Sequence, residues 1–289
     1  MRDYAITTDS SCDFDQALAD SLGVTVVPLS VQIGPRRFRN APGEAMDSHS
    51  FYQLLRQGEL AQTSAPNVEE FKAVWRPILQ SGRDLLYLGF SSGLSGTYHN
   101  AAIAAEDLRE EFPEARIITV DTLCASLGQG MLVDLTVQEK RQGKTLDEAA
   151  AFAEKNRLHL CHWFTVGDLS QLRRGGRLSA GKAIVGNLLN IKPVLHVDDE
   201  GHLVPMASAK GRKKSIEALV SHMEESAVAP EQQRVYISHG DCLADAQLLA
   251  QMVRDRLHVS SVTIGDVGPV IGAHSGAGTL ALFFVGTHR

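Results

Sequence analysis

Several things this chain lacks narrow what it can be. No window approaches the ~18 continuous apolar residues that a membrane-spanning helix needs. The opening stretch, "MRDYAITTDSS", carries a charge at Asp3 and has no apolar core, so it does not read as a secretory leader. Cysteine is scarce. Cys12, Cys124, Cys161 and Cys242 stand far apart, and none forms a C-x-x-C pair. That argues against a disulfide scaffold and predicts four reduced, mostly buried thiols in a cytoplasmic protein. Ligating side chains crowd only in "HLCHW", at His159, Cys161 and His162. This short apolar-rich run predicts a strand, and no further ligand can be assigned to it, so neither a metal nor another cofactor is expected.

Nucleotide-binding loops are also missing. "QGKT", Gln142 to Thr145, resembles the end of a P-loop, but that motif needs glycine at 138, where Gln138 stands. No G-x-G-x-x-G follows an early strand. The net charge is −6 and unevenly spread. Between Gln171 and Lys214, nine Lys and Arg face three acids, a local +6 that leaves −12 elsewhere. Such a balance does not suit general nucleic-acid binding. The basic segment suits either a phosphate or acidic partner, or a mixed solvated surface.

What is present is alternation. At about 150 residues per domain, 289 residues allow two. In the first half, strand-like runs such as "DYAITT", "DLLYLGF" and "ARIITVDT" alternate with helix-like runs. Two of those helices carry capping boxes, Asn67 with Glu70 and Thr145 with Glu148. This pattern predicts a parallel sheet with helices on both faces. From about Leu160 the texture becomes α+β: a strand at "LCHWFTV", a short helix and glycine turn at "DLSQLRRGGRLS", and two strands joined at "DDEG". A helix from about Lys213, the strand "RVYISH", a further helix, the strand "SVTIGDV" and a glycine-rich tail follow. The expected division is 1–158 as an N-terminal α/β domain and 159–289 as a C-terminal α+β domain.

Ligands of parallel α/β sheets bind at loops beyond the carboxyl ends of strands. "TTDSS", "FSSGLSGT" and "VDTLCAS" are such loops, and "QTSAPN" leads into a helix. All are rich in hydroxyls. They form either a cradle for a polar or anionic head group or merely helix caps. "GFSSG", Gly89 to Gly93, also matches the G-x-S-x-G spacing of a hydrolase nucleophile elbow, with Ser91 before His274 in chain order. Against an esterase or thioesterase, "LSGT" separates the motif from the following helix and no aspartate stands out as the histidine's partner.

Taken in order, "TSAPN", "FSSGLSGTYHNA", "DLSQLRRGGRLS", "LLNIKPVLHVDDEGHL" and "GPVIGAHSGAGTLALFF" resemble the signature segments of the DegV family. These are bacterial fatty-acid-binding proteins that include the FakB subunits of fatty acid kinase. The resemblance runs over nearly the whole chain. It implies a non-enzymatic carrier with a long-chain fatty acid in an apolar tunnel between two domains. It further implies a carboxylate held by Thr63 and Ser64, by Ser92 or Ser95, and by His274. The bound acid would be presented to an ATP-dependent kinase, and the acyl phosphate passed to an acyltransferase. Arg173, Arg174, Arg177 and Arg212 are the candidate contacts for kinase or phosphate. The chain departs from the family at Ala65, where glutamine is common, and at Ala277, where proline is common.

Overall fold

A computed structural model describes residues 2–44, 46–179 and 190–289. In chain order its elements are β1 Tyr4–Asp9, α1 Gln16–Leu22, β2 Thr25–Val27, β3 Ser30–Ile33, β4 Arg36–Arg39, α2 Ser48–Arg56, β5 Ala61–Ser64, α3 Val68–Gln80, β6 Asp84–Gly89, α4 Thr97–Glu111, β7 Ile117–Asp121, α5 Ser126–Arg141 and α6 Leu146–Asn156. Then come β8 Leu160–Thr165, α7 Ser170–Arg174, β9 Ile191–Val197, β10 Leu203–Lys210, α8 Arg212–Ser226, β11 Arg234–His239, α9 Leu243–Leu257, β12 Ser261–Asp266, α10 Pro269–Ser275 and β13 Leu280–Val285.

The strands form three sheets. A four-stranded parallel sheet runs β2-β1-β6-β7. β1 and β6 are buried along their whole length, as central strands covered by helices on both faces must be. Trp75, Phe71 and Tyr87 pack ring against ring on one of those faces. A six-stranded mixed sheet runs β10-β9-β8-β13-β11-β12, and all its strands lie at Leu160 or beyond. Helices α8 and α9 cover one face of it through an apolar cluster around Leu219, Leu249 and Phe284. Both expected capping boxes are present, at Asn67/Glu70 and Thr145/Glu148.

Two expectations need correction. "QTSAPN" does not simply enter a helix: Ala61–Ser64 is β5, one edge of a three-stranded antiparallel sheet β4-β3-β5. This sheet and α2 pack on α10 through Leu29, Val31, Phe51, Tyr52, Val267 and Val270. The "glycine-rich tail" is instead α10 followed by β13, which lies between β8 and β11 inside the large sheet. Gly276 ends α10 at φ 83° and ψ 172°, a conformation essentially reserved for glycine, and so turns the chain into β13. Lys182 of the basic segment lies outside the described residues.

Candidate functional site

A cavity of about 230 Å³ opens between the small antiparallel sheet, helix α10 and the inner face of the large sheet. Strand periodicity supplies its floor. Pairing of Ala281 with Phe164, and of Phe283 with His162, places these four side chains on one face. Leu29, Phe90, Leu94, Leu172, Val197 and Val270 continue the wall, which is mainly apolar.

One end is polar. His274, in the last turn of α10, meets Thr63 of β5, with Nε2 and Oγ1 2.8 Å apart. The alternation of β5 accounts for Thr63: it sits opposite buried Val31, while Gln62 and Ser64 are exposed. Gly175 makes room for the imidazole, since a Cβ there would stand 2.5 Å from His274 Nδ1. Burial, and secondarily the nearby Arg177 guanidinium, push the His274 imidazole down to about 4, so it is neutral at pH 7. Among the described residues, its buried Nδ1 has no hydrogen-bond partner. Ser95 lines the same cavity; its Oγ accepts from Thr97 N–H at 3.2 Å and lies 2.8 Å from Thr97 Oγ1. Arg177, half-buried in the cavity wall, donates to the carbonyls of Leu94 (3.2 Å) and Gly175.

Thr63, Ser95, His274 and Arg177 are therefore brought together. Ser64 and Ser92 are not: both are exposed and outside the lining, and the Ser92 N–H is spent on Asp121 Oδ1 at 3.2 Å. Arg173 and Arg174 are exposed on α7, with Arg174 bonded to Gln171. Arg212 pairs with Asp245 at 2.9 Å. Of the four hydroxyl-rich loops, three send a residue to the cavity: Thr63, Ser95 and Ser126. The fourth, "TTDSS", is structural. Its Asp9 is fully buried, accepting from Tyr87 Oη at 2.7 Å, Phe90 N at 2.8 Å and Ser11 N at 3.0 Å. Thr8 and Ser10 are bonded to backbone groups of Leu88 and Leu29.

The nucleophile elbow fails on geometry. Ser91 Oγ donates to the Gly201 carbonyl at 2.9 Å and accepts from Gly93 N–H at 3.2 Å. It is buried against the β9–β10 turn, where a Cβ on Gly201 would come within 2.1 Å of Oγ. His274 is paired with Thr63 and has no bond to Ser91 that would let it act as a base. "HLCHW" does not converge on a metal either. Cys161 and His162 are successive residues of β8 and point to opposite faces, Cys161 among the side chains under α8 and α9 and His162 into the cavity.

Arg177, expected as a contact for kinase or phosphate, lies in the cavity wall just after the turn at Gly175 and Gly176. The lining residues Ser126 and Ser238 were not picked out for the site at all. Ser126 sat in a loop already marked as hydroxyl-rich. Ser238 is the one serine in the strand "RVYISH".

A mainly apolar cavity, polar where Thr63 meets His274, thus lies among the sheets of this fold. The chain belongs to the DegV family, whose model, described as an uncharacterised protein of that family, matches residues 3–287. A DegV domain-containing protein of Clostridium perfringens is 42% identical over 99% of this chain and 98% of its own. One from Streptococcus pyogenes is 36% identical over 98% of each chain. Among solved structures, a Thermus thermophilus DegV family protein described as binding fatty acid superposes with a TM-score of 0.87 at 33% identity, covering 98% of this chain and 99% of its own. A DegV lipid-binding protein of Thermotoga maritima gives 0.87 at 28% identity over 99% of each. Among the described residues, no helix is long and apolar enough to cross a membrane.

Proposed function

We propose that this protein binds a long-chain fatty acid, with the alkyl chain in the cavity and the carboxylate at Thr63, Ser95 and His274. The carrying observation is the mainly apolar cavity ending in a neutral histidine–threonine pair with an arginine beside it. A tail of about 15 methylenes, at ~0.8 kcal/mol each, supplies on the order of 12 kcal/mol of gross driving force. Burial therefore sets affinity and the polar end sets orientation. A carboxylate leaving water needs donors or it takes up a proton. The two hydroxyls, an imidazole N–H and the Arg177 guanidinium are such donors, and the fatty-acid-binding relative from Thermus thermophilus shares the fold.

On this reading the chain works as two units, 1–158 and 159–289, closed on the ligand, and it acts as a carrier in the cytoplasm. It hands the bound carboxylate to an ATP-dependent kinase, and the acyl phosphate goes on to an acyltransferase. What supports this step is that Arg173 and Arg174 are exposed on the short helix that packs against α10. Native mass spectrometry with organic extraction tests the binding step. The expected result is an adduct of fatty-acid mass that the Thr63→Ala/Ser95→Ala/His274→Ala variant loses. A clean apo mass that also refuses added fatty acid would sink the reading. For the kinase step, charge reversal at Arg173 and Arg212 is expected to abolish kinase-dependent acyl-phosphate formation while fatty acid still binds.

A further inference from the structure

The cavity has a second polar pole, and a plain alkyl chain makes no use of it. Ser238 and Ser126 both line the cavity and both are buried. On the floor, Ser238 pairs with Ala281, which pairs with Phe164, so a hydroxyl stands in a row of apolar side chains. Ser238 Oγ lies 3.0 Å from Ser126 Oγ. Ser126 Oγ donates to Asp13 Oδ2 at 2.5 Å, and Asp13 Oδ1 accepts from Gly268 N–H at 3.1 Å. Asp13 and Ser126 both hold left-handed backbone, at φ 56° and 55°, which non-glycine residues adopt reluctantly.

A structural role accounts for part of this cluster. Asp13 ties the start of α5 to the start of α10. It does not account for Ser238, because each carboxyl oxygen of Asp13 already has a partner without it. The Ser238 hydroxyl only extends the chain of bonds into the cavity. Burial foremost, with the charges of Asp266 and Asp9, raises the Asp13 carboxyl to about 8. Protonated, it donates to Ser126, which donates to Ser238, whose O–H then faces the ligand. Ionised, it reverses the series, and Ser238 offers a lone pair. The pole thus serves a ligand group that both donates and accepts.

Its placement sets where that group lies. Gly268, which holds Asp13, and His274, which meets Thr63, are six residues apart at opposite ends of α10, about 9 Å along the axis. We propose that the cavity selects acyl chains carrying a hydroxyl part-way along the tail, bonded at Ser238, with the carboxylate at His274. This rests on the carboxylate placement argued above.

The test is displacement of a fluorescent fatty acid by three competitors: stearate, stearate hydroxylated at mid-chain, and stearate hydroxylated next to the carboxyl. Wild-type protein is compared with Ser238→Ala, His274→Ala and Ser126→Gly, the last removing the hydroxyl while relieving the left-handed backbone. The mid-chain hydroxy acid is expected to bind wild type at least as tightly as stearate. It is expected to lose about tenfold in Ser238→Ala and in Ser126→Gly, the worth of one buried hydrogen bond, with stearate unchanged. The acid hydroxylated next to the carboxyl is expected to show no such loss. If stearate binds and weakens in His274→Ala, but neither serine variant changes the ratio of mid-chain hydroxy acid to stearate, the second pole is structural and the proposal falls alone. If no acid binds wild type, the carboxylate reading falls with it.

Discussion

A histidine held neutral inside a protein leaves a signature in stability, and His274 is the residue to test. Its imidazole is pushed down to about 4, by burial first and by Arg177 second, against 6.5 in an unfolded chain. The unfolded state therefore takes up the proton earlier as pH falls. The stability this group contributes is complete above pH 6.5, is lost between 6.5 and 4, and changes no further below 4. At ~1.4 kcal/mol per pH unit, the gap is worth about 3 kcal/mol. His274→Gln removes the titration while keeping a polar side chain near Thr63. Urea unfolding of both proteins at several pH values from 4 to 7.5 should give curves that converge or cross as pH falls, their difference shifting by about 3 kcal/mol. Asp13 tilts both curves equally in the opposite sense, because its raised carboxyl makes stability fall as pH rises from 4 towards 8. The comparison between the two proteins cancels that slope. Parallel curves would refute the claim that His274 is buried neutral, and with it the account of how the site meets a carboxylate.

Three further outcomes follow from the packing. Ser91→Ala should cost about 1 kcal/mol for the lost bond to Gly201, leave the proposed fatty acid binding intact, and leave labelling by a fluorophosphonate at background before and after substitution. Asp9→Ala strips the acceptor from Tyr87, Phe90 and Ser11 at once; a loss of at least ~3 kcal/mol is expected, read as a fall in the urea midpoint or as insoluble expression. Gly128→Ala would place a Cβ 2.2 Å from His162 Nε2 and 2.7 Å from Phe283 Cδ1. Overpacking there should cost about 1–3 kcal/mol and weaken ligand binding, because both rings form the cavity floor.

What could be read from the sequence was mostly local. The capping boxes at Asn67/Glu70 and Thr145/Glu148 depend on residues three apart, so they show in a short window. Among the parallel strands β6 announced itself as a continuous apolar run, since both its faces are covered. The β4-β3-β5 sheet did not: its strands are four residues each, "RRFR" is mostly charged, and "AQTS" turns only Ala61 and Thr63 inward. Thr63 and His274 were reached through motifs, while their 2.8 Å meeting spans 211 residues and no window contains it. The same holds for Ser92 against Ser95. Loop spacing could not separate them; the packing of "SSGLSG" does, by turning one outward and the other into the cavity.

The position of β13 bears on how this protein is made. β13 follows every other strand of the large sheet in chain order, yet β8 and β11 are joined only through it. Two of its residues, Ala281 and Phe283, are also the cavity floor. During synthesis the helices and strands that precede it can gather, but the cavity floor is incomplete until residue 285 has emerged. A chain whose synthesis has not yet passed β13 therefore has no finished apolar pocket.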